Sequence, residues 1–173
     1  VYTFYVGVLG IISIILTPFV GFSMPSLTLL FFCFFAALNY ILFLYLIYSA
    51  IQKYEVSRII PAVGALVPLI SFLIIFLLSG GSNSLGVREI IAFLLLVLGS
   101  IIVNTNFSRV FSLKSLKICF LIALFASLNF IFSKYTFIHL PFWTAFIWIR
   151  IFAFIIALFF IFSFAVRKEI FGK

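Results

Sequence analysis

Three polar residues lie inside long apolar stretches of this 173-residue chain, and they are its first candidates for a chemical role. Asn39 and Asn129 each stand near the middle of such a stretch. In a membrane, an asparagine amide either bonds a neighbouring helix or lines a polar cavity, and the sequence leaves both open. Arg150 places a charge in a third stretch, at a cost of about 2.5–3.5 kcal/mol. Snorkelling toward Phe142, or pairing with a helix-end carbonyl, is favoured there over direct contact with a substrate.

Other kinds of chemistry lack the residues they need. The chain has no Asp, three Glu, one His and two Cys. The acids and the histidine are scattered along the sequence, at Glu55, Glu89, His139 and Glu169. A lipid-processing enzyme would need such groups clustered at one interface, so we expect no enzyme and no cofactor. Cys33 and Cys119 lie in apolar stretches, where cysteine acts as a small packing residue, and we expect neither a disulfide nor a metal site.

The elements that position these residues follow from composition. Apolar residues make up 67% of the chain and charged residues 8%, whereas soluble domains have about 45–50% and about 25%. About 20 apolar residues cross a membrane as a helix. The sequence predicts six such spans, at residues 2–20, 26–51, 56–79, 87–104, 116–138 and 142–166. The apolar runs are continuous rather than alternating, which predicts an all-α, polytopic transmembrane helical bundle instead of a barrel.

The third predicted span carries two prolines, Pro61 and Pro68, seven residues apart and therefore on nearly the same face. Each removes a backbone donor and clashes with the carbonyl four residues earlier. The pair predicts kinks in a mobile or cavity-lining helix, as in secondary transporters. Proline is also frequent in ordinary membrane helices, so this second interpretation stays open.

The net charge of +8 indicates orientation and lipid contact rather than nucleic-acid binding. Alternating spans place eight basic residues on one membrane face, namely Lys53, Arg58, Arg109, Lys114, Lys117, Arg167, Lys168 and Lys173. The other face receives Arg88 and Lys134. The positive-inside rule makes the first face cytoplasmic, which predicts a multi-pass protein of the cytoplasmic membrane. Membrane lipids are expected partners and nucleic acid is not.

Three stretches resemble EamA-type domains of the drug/metabolite transporter superfamily. The first runs from YSAI (48–51) through RIIP (58–61) to LVPL (66–69), like that family's third-to-fourth helix region. The second, from EIIAF (89–93) to LGSII (98–102), resembles its glycine-containing fifth helix. The third runs from ASLNF (126–130) to Ser133 and Lys134, with Arg150 in the next helix, and resembles the opening of a second repeat. Residues 79–84 replace a glutamate that many members have after the fourth helix.

The resemblance implies helices two to seven of a ten-helix transporter with two inverted five-helix repeats. Residues 1–104 would hold the last four helices of the first repeat, 105–115 a short basic loop, and 116–173 the first two helices of the second. The chain begins with Val1 and stops directly after a span, so we expect a piece of a longer protein. The family's usual orientation is opposite to the one from charge, and we favour the charge argument.

A transporter of this kind moves a small organic metabolite or amphipathic compound by alternating access around a midplane cavity. The expected cavity residues are Asn39, Ser71, Asn129 and Arg150, with Pro61 and Pro68 letting the third helix flex. The expected partners are a small-molecule substrate and a second copy of the chain in a homodimer, and the sequence does not specify which molecule the substrate is. A non-transporting membrane scaffold or accessory subunit, and a lipid-carrier flippase, remain alternatives.

Overall fold

The structure, a computed structural model, describes residues 2–20, 22–79, 86–104 and 113–159, and these are almost entirely helical. Helices follow each other with short connections. They are α1 (Tyr2–Leu9), a 3-10 segment (Gly10–Leu16), α2 (Thr17–Val20), α3 (Leu27–Lys53), α4 (Val56–Leu78), α5 (Val87–Asn104), α6 (Leu113–His139) and α7 (Phe142–Phe159). No strand occurs in the described residues, so the predicted all-α class is confirmed for them.

Among the described residues, five helical stretches are long and apolar enough to cross a membrane. They are Tyr2–Val20, Leu27–Lys53, Ile59–Leu78, Ser115–His139 and Phe142–Phe159. The chain therefore has the helices of a multi-pass membrane protein. The remaining predicted span, 87–104, is a helix with the predicted bounds, α5, and its membrane crossing stays a prediction. The end of the last predicted span, 160–166, lies outside the described residues.

The first span contains a change of helix type that its apolar run does not reveal. Its middle, Gly10–Leu16, is a 3-10 helix. Pro18 has no N–H and its ring clashes with the carbonyl four residues earlier, that of Ile14. Both the backbone N–H and the hydroxyl of Thr17 donate to this carbonyl instead, the hydroxyl over 2.8 Å. A donor three residues after its acceptor is the 3-10 pattern, so Pro18 accounts for the tighter winding.

The chain divides into two compact units. The first unit comprises Val1–Tyr48 and Leu128–Lys173, and the second unit comprises Ser49–Ser127. The sequence predicts a different division, into two repeats on either side of a basic loop at 105–115. Residues 105–112 of that loop lie outside the described residues, and the repeat division stays a prediction.

The core of the first unit forms where α1, α3 and α7 meet. Ala37 and Ile41 of α3 are buried together with Ala153 and Ala157 of α7. Gly7 of α1 faces this cluster so closely that an added methyl group would overlap the methyl group of Ala157. Small residues let helix backbones approach closely, and packing rather than hydrophobic burial holds helices together in lipid.

In the second unit, α4 packs against α5 and remains helical from Val56 to Leu78 although Pro61 and Pro68 lie inside it. An α-helix would bond the carbonyl of Gly64 to the N–H of residue 68, but proline has none. A methyl group added at Gly64 would meet no atom within 4 Å. This stretch of α4 thus lacks the backbone donor that residue 68 would supply, and no neighbouring side chain restricts Gly64.

Candidate functional site

Arg150 is the ninth residue of the 18-residue helix α7 and points toward α3 of the same unit. Its Nη1 atom donates a hydrogen bond to the Tyr40 hydroxyl over 3.1 Å. The guanidinium carbon lies 5.0 Å from the ring centre of Tyr40 and 5.1 Å from that of Phe146. Phe146 precedes Arg150 by one turn, so the side chain leans toward the Phe142 end, while the residue that bonds its head group lies at the centre of α3. Snorkelling to the interface stays a prediction. The hydrogen-bond partner of Arg150 is a tyrosine hydroxyl rather than a helix-end carbonyl.

The 3-10 segment leaves space for the stem of this arginine. A methyl group added at Gly10 would lie 3.3 Å from Cδ of Arg150. The hydroxyl of Ser13 bonds back to the Gly10 carbonyl over 2.8 Å, so the polar groups of this turn stay paired. The methylene stem therefore packs on backbone, while aromatic rings receive the charged head. Cation–π contacts of this kind contribute about 0.5–2 kcal/mol, more when water is excluded.

The surroundings of Arg150 contain no compensating carboxylate in the described part of its unit. The charged residues there are Lys134 and Arg150, and both are basic. Lys134 is exposed near the end of α6, whereas Arg150 is half-buried. An intramembrane charge normally pairs with an opposite charge or marks a functional site. Aromatic faces and one hydroxyl stabilise this cation without neutralising it.

The two predicted asparagines use their amides differently. Asn129 of α6 donates to the Ala36 carbonyl of α3 over 2.9 Å and so connects two helices. Asn39, which is buried, donates to the Phe35 carbonyl of its own helix over 2.7 Å. The bond of Asn129 is the interhelical alternative that the sequence left open. Since Ala36 precedes Tyr40 by one turn, this bond also fixes α3 near the residue that holds Arg150.

The other predicted residues belong to the second unit. Ser71 is half-buried in α4, as are Pro61 and Pro68. A contact that the sequence did not predict joins α6 to this helix, since the hydroxyl of Ser127 donates to the Val67 carbonyl over 3.0 Å. The bond ends at the residue before Pro68, whereas the carbonyl that Pro68 leaves without its helical donor is that of Gly64. Asn39, Asn129 and Arg150 thus share one unit, and Ser71 lies in the other.

The second unit also contains an apolar cavity of about 520 Å³. Its lining comes from α4 and the first turns of α6, and comprises Leu66, Leu116, Lys117, Phe120 and Leu121. Leu66 is half-buried, and the four lining residues of α6 are exposed. The lining suits an aliphatic chain with a negative group near Lys117.

Tyr40 and Phe146 are the site residues that the sequence did not single out. Tyrosines of membrane helices concentrate near the interfaces, where the hydroxyl reaches water. Tyr40 stands instead at the centre of α3, between Leu27 and Lys53, beside Asn39. A tyrosine so far from either end needs a polar partner, and that position is the signal that could have identified it.

No family model, curated protein or solved structure matches the chain. Within the described part of the chain, no three His, Cys, Asp or Glu side chains come together, so these residues offer no metal site.

Proposed function

We propose that the protein is a secondary transporter that moves a small organic metabolite or amphipathic compound across the cytoplasmic membrane. The observation that carries this proposal is Arg150, a half-buried cation at the middle of a membrane-type helix, held toward α3 by Tyr40. A charge costs several kcal/mol in this position, and intramembrane charges mark substrate or ion pathways. A scaffold needs no such group, because apolar packing already joins these helices.

Alternating access supplies the mechanism. One helix bundle rocks against another around a central site, and discontinuous or bent helices absorb the motion. In α4, Pro68 removes the donor for the Gly64 carbonyl and no side chain confines Gly64, which gives this helix a place to bend. The resemblance to EamA-type domains supports the same mechanism and adds the ten-helix, two-repeat architecture to the proposal.

The apolar cavity of the second unit favours one variant of this function, a lipid-carrier flippase. An acyl or polyprenyl chain fits a cavity lined by leucine and phenylalanine, with a phosphate near Lys117. Transfer of a fluorescent lipid between the leaflets of protein-containing vesicles tests this variant. Transfer at the rate of protein-free vesicles excludes it.

Vesicles that carry the full-length protein test the main proposal. We expect gradient-dependent uptake or efflux of one compound class when metabolite mixtures are offered with and without a pH gradient. If the protein is folded and inserted but transports none of the compounds, the proposal is overturned in favour of the scaffold. The variants Asn39→Ala and Asn129→Ala test the cavity assignment, which is wrong for any position where expression and transport both stay unchanged.

A further inference from the structure

We propose that Arg150 and Tyr40 together bind an anionic group of the transported substrate, a carboxylate or a phosphate. This inference rests on the proposed transport function and assigns its substrate class. It is carried by the juxtaposition of the two side chains at the centre of α3 and α7.

The donors of Arg150 suit an oxyanion. A guanidinium has five N–H donors, and the structure pairs one of those of Arg150 with Tyr40. The guanidinium carbon lies over the rings of Tyr40 and Phe146, at 5.0 and 5.1 Å from their centres. A cation–π contact uses no N–H donor, so donors other than the one that bonds Tyr40 can serve an oxyanion. Bidentate binding of carboxylate or phosphate is the geometry that the fork of a guanidinium favours.

The hydroxyl of Tyr40 supplies a further donor. Its oxygen accepts a hydrogen bond from Arg150, which leaves its own O–H proton to donate. The hydroxyl therefore adds a neutral donor beside a charged one. An oxyanion that bridges the two would satisfy both groups, whereas a cationic or purely apolar substrate would satisfy neither.

The charge balance of the first unit also favours an anion. The described residues of the first unit contribute two basic side chains and no acidic one. A cation that is desolvated without a counter-charge attracts an anion strongly, because the low dielectric amplifies the interaction. Gly10 and Phe146 hold the arginine in place before the anion arrives, so little ordering is needed on binding.

The experiment uses the full-length protein in vesicles of pure phosphatidylcholine, which removes anionic lipid as a competing source of negative charge. Thermal unfolding is followed with a thiol-reactive dye, since Cys33 and Cys119 are fully buried in the folded state. The probes are inorganic phosphate, acetate and benzoate, with acetamide and benzamide as neutral counterparts. We expect at least one anion to raise the unfolding temperature and both amides to leave it unchanged.

Four variants identify the residues responsible. We expect Arg150→Gln to weaken anion binding by about 100-fold, and Tyr40→Phe, which keeps the ring, by roughly 3- to 10-fold. Arg150→Lys keeps the charge without the planar fork, and we expect an intermediate loss. Lys134→Gln is the matched control, because it removes a positive charge from the same unit at an exposed position, and its affinity should equal that of the wild type.

Every other result overturns either this inference or the transport function on which it rests. Stabilisation by anions that persists at full affinity in Arg150→Gln and Arg150→Lys would place the anion elsewhere. If only vesicles of phosphatidylglycerol raise the unfolding temperature, and this rise requires Arg150, then the ligand is a lipid headgroup. Transport of neutral or cationic compounds that is unchanged in Arg150→Gln would refute the anion site while the transport function stands. No transport of any compound, together with Arg150-dependent anion binding, would refute the transport function instead.

Discussion

Two glycines, one in each compact unit, have opposite surroundings. Gly7 of the first unit lies against Ala157, where an added methyl group would overlap, and that methyl group would also lie 3.3 Å from Cδ1 of Ile41. Gly64 of the second unit faces open space, and a methyl group there would meet no atom within 4 Å. The same residue type thus permits close helix packing in one unit and leaves a helix unconfined in the other.

This difference fits the proposed transport function, which requires one part of the protein to bind and another part to move. The first unit holds Arg150 with backbone, hydroxyl and aromatic contacts, which favours a fixed geometry around the charge. The second unit contains the helix with two prolines, whose missing donors favour bending. We interpret the first unit as the part that binds and the proline helix as the part that moves. Four sets of variants test this interpretation, in order of decreasing expected effect.

Substitution of Gly7 by valine should have the largest effect. The added methyl groups must displace Ala157 or Ile41, and overpacking of this kind costs about 1–3 kcal/mol. We expect a clear drop in the unfolding temperature measured with the thiol-reactive dye. Gly64→Val is the matched control and should cost much less, because its side chain meets open space. Equal losses in both variants would refute the contrast between the units.

Substitution of Gly64 by alanine should raise the stability of the protein and lower its transport rate. Alanine favours the helix over glycine by about 1 kcal/mol, and the methyl group here meets no obstacle. The unfolding temperature should therefore rise while the transport rate falls, since α4 bends less easily. Unchanged transport in this stiffer variant would show that the motion does not pass through Gly64.

Asn129→Leu should destabilise the first unit by about 0.6 kcal/mol, the average for a hydrogen bond between membrane helices. The lost bond connects α6 to the Ala36 carbonyl of α3. Asn39→Leu is the comparison variant, because its amide bonds only within its own helix, and we expect no loss. A larger loss of stability in Asn39→Leu than in Asn129→Leu would mean that the interhelical bond is not the one that stabilises the first unit.

Thr144→Val should change stability least of all. The Thr144 hydroxyl is buried, and it has no hydrogen-bond partner among the described residues. Valine removes this hydroxyl and keeps the shape of the side chain. The unfolding temperature is therefore expected to stay unchanged or to rise slightly. Thr136→Val serves as the control, since that equally buried hydroxyl donates to the Ser133 carbonyl over 2.8 Å and its loss should lower stability.

The spans could be predicted because hydropathy and turn residues act locally. Helix α5 has the bounds that the sequence predicts, and α6 and α7 are separate helices, as the predicted spans 116–138 and 142–166 require. The 3-10 segment was missed, because Pro18 acts on a carbonyl one turn away inside an unbroken apolar run. Arg150 was identified as costly from its position alone, but its partner was not.

The class of structure and the residues that cost most to bury were readable from the amino-acid order alone. Continuous apolar runs favour membrane helices, because every backbone polar group must be satisfied within its own segment. The partners of the costly residues emerge only when the helices pack. Tyr40 and Arg150, 110 positions apart, meet through that packing, and no local pattern in an apolar helix encodes which neighbour it will face. For the same reason, Gly7 and Gly64 look alike in sequence and differ completely in the folded protein.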